Sequence, residues 1–339
     1  MNIYEPRIML KALRLNPSPK RFLLKTFFPG IERHTTKSVE MDIQKTRRKM
    51  AEFTHPASSA RLVERDGYYT MTVEPAYIKE KIPLRPVDLT HRQMGETPYD
   101  NTSPADRALQ QLGTDQRTLD ERLVRREELM CAEALLTGKI EVKGEGFNEV
   151  VDFGYVPGEH SIVLSGTSAW NHADGDPGTD LKRWKTSINQ RGGVRPNRVI
   201  VGSKVAEAIM DNPKVAKRLD NRRMELGKID PKEMPEGVDY LGYLAPSMID
   251  IYTYEEWYVA SDGNEYPIIP EDAVIIGSTE AGNKMHYGLI QNLKCMAALD
   301  RFSFTYEEND GSAKFLQMES APMPCIYNPN AFMVARVLN

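Results

Sequence analysis

The sequence has little cysteine. Cys131, Cys295 and Cys325 are scattered through 339 residues with no CxxC pair. They read as buried or free thiols in a reducing compartment, not as a disulfide framework. Long apolar runs are missing too, and none reaches the ~18 residues that a membrane-spanning helix needs. The stretch FLLKTFF is interrupted by Lys25 and lacks a small-residue cleavage site, which argues against a signal peptide. No internal repeat occurs at a solenoid or propeller period. The motifs HExxH, GxSxG and GxxxxGK[ST] are all absent.

What could pass for chemistry is thin. His34, His55, His91, His160, His172 and His286 stand singly along the chain, and each reads as a surface or packed residue. Residues 174–180 (DGDPGTD) begin like a calcium loop. Lys185 stands where such a loop needs its glutamate, however, and Pro177 is misplaced. The stretch reads as an acidic turn between units. Residues 277–283 (GSTEAGN) follow a strand, but Lys284 is not at the spacing of a phosphate cradle, so this reads as a loop at a tip. Glu255 and Glu256, like Glu307 and Glu308, are strand neighbours that face opposite ways. Glu127 and Glu128 diverge by ~100° around a helix. The residues argue for no enzyme, no metal and no cofactor.

What is present suits an ordered protein of one large or two medium domains, with 40% hydrophobic and 27% charged residues. Its centrepiece is residues 103–139. Ser103 is a good N-cap, Pro104 fits the first helical position, and Asp106 puts negative charge in the first turn. Ala105, Ala108, Leu109, Leu112, Leu119, Leu123, Met130 and Leu135 follow helical spacing up to Gly138, a left-handed C-cap. The spacing predicts a helix over 104–137, a rod of about 50 Å. Gly113 is its weak point and the place for a bend, since an interior glycine costs about 1 kcal/mol. The charged run 115–128 mixes both signs and reads as a solvated or inter-subunit face.

The net charge of -4 hides an asymmetry, because residues 1–50 carry twelve Lys/Arg against four Asp/Glu. A basic arm on an acidic body suits nucleic acid or an acidic neighbour. No aromatic residues interleave as a single-strand platform requires, which favours the protein partner. Residues 1–36 read as an arm, with two helical turns over 7–15 and an apolar cluster of Phe22, Leu23, Leu24, Phe27 and Phe28. That cluster must dock on the rest of the chain or on another copy. Residues 38–90 read as a long, polar two-stranded excursion bearing a basic knot at Lys45, Arg47, Arg48 and Lys49. Its support would come from a neighbouring subunit. After the helix the pattern predicts a hairpin over 139–154 and a helix starting at Asp180. A mixed sheet with flanking helices follows, including a helix capped by Ser203. Strands then lie on either side of Gly311 and over 332–338.

Several short signatures run in order along nearly the whole chain. They are EALLTGK (133–139) leading into Gly146-Phe147, SGTSAW (165–170) before the acidic turn, residues 219–223, GST (277–279) and MESAP (318–322). In order and spacing they resemble the lambda-type major capsid protein E family of tailed phages, which has the Hong Kong 97-type fold.

The resemblance implies an α+β fold. It has an N-terminal arm (1–37), an extended β-hairpin loop (38–90), a peripheral domain (91–180 and 291–320) with spine helix 104–137, and an axial α/β domain (181–290 and 321–339). It implies self-assembly into pentamers and hexamers of an icosahedral shell around double-stranded DNA, which is held by weak non-specific contact. The shell would be assembled in the host cytoplasm and no membrane is involved. Some relatives carry a scaffolding extension before the arm, which is not found here. A separate scaffolding protein is implied, with a portal and a decoration protein as further partners. The inter-subunit contact candidates are Phe22, Phe27, Phe28, Arg47, Arg48, Lys49, Arg125, Arg126, Glu127 and Glu128. Two rival readings stay open: an encapsulin-like compartment, and a metal-assisted hydrolase built on residues 174–180 and His172.

Overall fold

The computed structural model describes residues 21–44, 50, 51, 53, 55, 59, 68–90, 103–144, 147–216, 219, 220, 237–245, 247–295, 297–309 and 311–339. The expected helix over 7–15 and the basic knot lie outside them.

The long helix Pro104–Thr137 forms as its caps dictate. The Ser103 hydroxyl accepts the Asp106 backbone N–H, and Gly138 closes the helix at φ 68°. Helical structure runs unbroken through Gly113. Ala108, Leu112, Leu119, Leu123, Met130 and Leu135 are buried as their spacing predicts, whereas Ala105 and Leu109 are exposed. The apolar stripe therefore begins about one turn after the helix does.

Two layers lean on this rod. The sheet of strands Ile78–Leu84, Lys314–Ser320 and Phe302–Glu307 covers its first half, where Leu112, Leu119 and Leu123 meet Leu316 and Met318. The sheet of strands Gly30–Arg33, Lys284–Tyr287 and Pro322–Cys325, with the short helix Leu23–Phe27, covers the second half. Ile78–Leu84 pairs along its whole length with Lys314–Ser320. The two-stranded excursion accordingly narrows to Val39–Gln44 against Tyr68–Val73. Its base is not polar on both faces, because Val39, Met41 and Val73 enter the protein's own core. The hairpin Lys139–Gly144 with Phe147–Asp152 forms as expected.

The α/β unit holds a mixed seven-stranded sheet. Its order is Ser161–Val163, Phe332–Arg336, Ala273–Gly277, Arg198–Val201, Ile249–Tyr254, Val238–Leu244 and Leu219–Asp220. Arg198–Val201 runs parallel to Ile249–Tyr254 and antiparallel to Ala273–Gly277. Helix Pro177–Gly192 packs Leu181, Trp184 and Ile188 into this unit's core, with Trp170 stacked on Trp184 at 5.6 Å. That helix begins three residues before the expected Asp180. Asp176 caps it through the Thr179 N–H, and Pro177 takes the first position, which needs no N–H donor. Gly202, not Ser203, is the N-cap of helix Ser203–Asp211.

Residues 277–283 are not a tip. Ser278 and Asn283 are buried, and a Cβ on Gly277 would sit 2.5 Å from the Phe332 ring and 3.0 Å from that of Phe27. The glycine is there for close packing.

Candidate functional site: the arm segment on the long helix

The long helix presents carboxylates inward. Asp120, Glu127 and Glu128 are all buried, and each has partners distant in sequence. Arg301 bonds Asp120 with one guanidinium nitrogen and donates the other to Glu127 Oε2 at 3.1 Å. Tyr287 Oη donates to Glu127 Oε1 at 2.9 Å, and Arg21 Nη2 lies 3.4 Å from Oε2. Glu128 accepts the backbone N–H groups of Leu23 and Leu24 at 2.9 and 3.2 Å. Those donors open the short helix Leu23–Phe27, whose flanking residue Phe22 supplies no side-chain cap. A glutamate from another helix thus satisfies what the local sequence leaves open.

Burial sets the electrostatics. Desolvation pushes the Glu128 carboxyl up to about 7, against the pull of the two N–H groups. Desolvation also raises Asp120, with Arg301 and Arg21 opposing it. For Arg21 burial works against the charge, but Glu127, Tyr287, Asp120 and Glu128 outweigh it and its pKa rises.

The apolar side of the arm segment is equally settled. Leu23, Leu24, Phe27 and Phe28 are all buried, Phe27 edge-on to Phe332 at 5.4 Å. Phe22 is half-buried against Tyr252 and Tyr254, with ring centroids 5.5 and 5.7 Å away. At ~1.5–3 kcal/mol for each fully buried side chain, this docking is worth several kcal/mol before ordering entropy.

Four expected contact residues are thereby corrected. Phe27 and Phe28 are 1% and 0% exposed, so they fill the protein's own core and have no surface for a neighbour. Glu127 and Glu128, at 0% and 2%, close an internal charge network. The mixed-sign run 115–128 is two-faced: Asp115, Gln116, Asp120, Glu127 and Glu128 point inward, while Arg125 and Arg126 are exposed. On the outer face Arg122 forks onto Glu80 at 2.6 and 2.8 Å, tying the helix to strand Ile78–Leu84. Arg47, Arg48 and Lys49 lie outside the described residues.

Two histidines do not stand alone. His34 Nε2 lies 2.6 Å from His286 Nδ1, with the ring planes 18° apart and their centroids 4.9 Å apart. Strand Gly30–Arg33 runs parallel to Lys284–Tyr287 with Glu32 opposite His286. Glu32 Oε1 binds Lys284, and Oε2 lies 3.8 Å from His286 Nδ1. Tyr327 Oη is 2.9 Å from His286 Nε2. Burial, then the His34 neighbour, pull His286 down to about 4. No local signal joins positions 34 and 286; only the parallel pairing does.

The acidic turn is explained without a metal. Asp176 is a helix cap, and His172 Nδ1 accepts the Asp174 N–H at 3.2 Å. Among the described residues no helix is long and apolar enough to cross a membrane.

The phage major capsid protein E family matches residues 5–337. The chain belongs to that family. The major capsid protein of Escherichia phage lambda is 26% identical over 345 residues, covering 98% of each chain. That of Enterobacteria phage phi80 is 26% identical over 299 residues, covering 85% of each. Among solved structures, a prophage capsid protein from E. coli CFT073 superposes with a TM-score of 0.76 at 20% identity, covering 98% of each chain. The capsid of a native GTA particle gives 0.54 at 10% identity, covering 96% of this chain and 93% of that one. These likenesses carry the fold, which is of the Hong Kong 97 type. As a phage major capsid protein E, the chain is a structural subunit that self-assembles into the virion shell. The buried network then lies inside one subunit of that shell: it seats residues 21–28 on the long helix.

Proposed function

We propose that copies of this major capsid protein close into rings of five and six, and that these rings tile an icosahedral shell around double-stranded DNA. The match to the family over residues 5–337, from one end of the fold to the other, carries this reading. Symmetric rings close such a surface through contacts that are individually modest. The division of labour follows the family plan: arm 1–37, extended loop 38–90, peripheral domain 91–180 with 291–320, and axial domain 181–290 with 321–339. The role is non-enzymatic. Assembly takes place in the host cytoplasm with a separate scaffolding protein, a portal and a decoration protein, and DNA touches the inner wall weakly and without sequence preference.

The contact candidates that remain are the half-buried Phe22, then Arg47, Arg48 and Lys49 on the extended loop, and Arg125 and Arg126 on the exposed side of the spine helix. Sequence reading passed over a further set. Trp257 and Val259 on one face of the hairpin Trp257–Val259 with Glu265–Pro267 are 47% and 64% exposed, apolar surface that suits a neighbouring copy.

Electron microscopy of the purified protein tests the assembly. Closed shells, or rings of five and six, are expected, and a persistent monomer at high concentration refutes it. The loop contact is tested by replacing Arg47, Arg48 and Lys49 with glutamate. Shells of normal size and stability from that variant remove the basic knot from the interface.

A further inference from the structure

We propose that Glu32, His34 and His286 form a binding site for one divalent transition-metal ion of the zinc class. The ion would clip the strand that leaves the arm to a core strand of the same subunit.

The donor set carries the argument. Two imidazole nitrogens and one carboxylate are the ligands that borderline divalent metals take, leaving a fourth position for water. His34 Nε2 and His286 Nδ1 face each other at 2.6 Å. Two neutral rings so placed share a single proton between their facing nitrogens, the Nε2–H of His34; when a metal ion takes its place, that proton moves to His34 Nδ1 and both rings stay neutral. Nitrogen and oxygen ligands each ~2.1 Å from a tetrahedral ion lie about 3.4 Å from one another. The His–His pair therefore opens by under about 1 Å, and Glu32 Oε2, now 3.8 Å from His286 Nδ1, closes by a few tenths.

The surroundings are built for such a site. Tyr327 Oη, 2.9 Å from His286 Nε2, can accept that nitrogen's proton and so fix the tautomer that leaves Nδ1 free to coordinate. Lys284 holds Oε1 of Glu32, which turns Oε2 toward the histidines. The backbone is pinned as well: the His34 N–H donates to the Tyr287 carbonyl at 2.8 Å, beside the parallel Glu32–His286 register.

The experiment uses the purified full-length protein, stripped with a chelator, incubated with zinc chloride and freed of unbound metal by gel filtration. Elemental analysis is expected to find about one zinc per chain, with a raised unfolding temperature that the chelator reverses. Cobalt in place of zinc should give the visible absorption of a tetrahedral nitrogen–oxygen site. Glu32 and His34 are half-buried, so Glu32→Gln and His34→Gln are conservative in shape. Each is expected to lower zinc affinity by at least about tenfold with an unchanged circular dichroism spectrum. If the wild type retains no zinc, or the Glu32→Gln/His34→Gln double variant retains as much as the wild type, the site does not exist.

Discussion

Glu128 Oε2 accepts the backbone N–H of Leu23 at 2.9 Å, across 105 residues of sequence. The contact makes the long helix the cap of the short helix Leu23–Phe27, so that seating that helix and satisfying a buried carboxylate are one event.

Removing that acceptor should free the arm. Glu128→Ala leaves two buried N–H groups unpaired, at about 1–3 kcal/mol each, whereas Glu128→Gln keeps one acceptor and should lose roughly half as much. Thermal unfolding measures the cost. Limited trypsin digestion reads the location, because cleavage after Arg21 and Lys25 should speed up in Glu128→Ala before the rest of the chain is attacked. Equal protection in both proteins would show that the cap is dispensable.

The same carboxylate should make stability fall as pH rises through the neutral range. Its pKa goes from 4.5 in the unfolded chain to about 7 in the fold, so between those values the folded state holds the proton more tightly. The stabilisation is complete below pH 4.5 and is lost as pH rises toward 7. At 1.36 kcal/mol per pKa unit this amounts to about 3 kcal/mol. Asp120 is shifted in the same direction. Denaturant unfolding of the unassembled subunit at pH 5.5 and pH 8 tests this. The difference should shrink in Glu128→Gln, and an unchanged difference removes Glu128 as its source.

Arg301 is held to both Asp120 and Glu127. Arg301→Met leaves Asp120 and Glu127 with one cation, Arg21, which reaches only Glu127 at 3.4 Å, and should cost about 3–5 kcal/mol. Arg301→Lys should recover little, because a single ammonium cannot fork between the two acids. Thermal unfolding of the two variants beside the wild type decides it. Near-complete rescue by lysine would mean that charge alone, and not the fork, holds the network.

Glycines at two positions should respond in opposite ways. A Cβ at Gly113 meets nothing within 4 Å and the helix passes through it unbroken, so Gly113→Ala should stabilise the subunit by up to about 1 kcal/mol. Gly277→Ala pushes into the rings of Phe332 and Phe27 and should destabilise by about 1–3 kcal/mol. The two unfolding midpoints, measured side by side, should move apart.

Much of this fold is legible where the signal is local. Ser103, Pro104, Asp106 and Gly138 bracket the spine helix, and turn chemistry marks the hairpin over 139–152. The inner face of the helix is not legible. Asp120, Glu127 and Glu128 sit in a run whose alternating signs look the same whether the partners are water or Arg301, Arg21 and the Leu23 backbone. The burial of Phe27 and Phe28 is half legible. Their hydrophobicity demands a core, but only the tertiary fold shows that Phe332, 305 positions later, supplies it. Ile78–Leu84 likewise looks like part of a hairpin, because nothing near it reveals its pairing with Lys314–Ser320.

The strand Phe332–Arg336 lies inside the seven-stranded sheet, between Ser161–Val163 and Ala273–Gly277, rather than at its rim. While the chain is being made, that slot stays empty until residues 332–336 have left the ribosome. Ala273–Gly277 and Ser161–Val163 each lack a neighbour until then. Without this strand the sheet has an open interior position, and Ala273–Gly277 keeps only Arg198–Val201 beside it. A chain that stops short of residue 332 therefore leaves the unit's sheet unfinished.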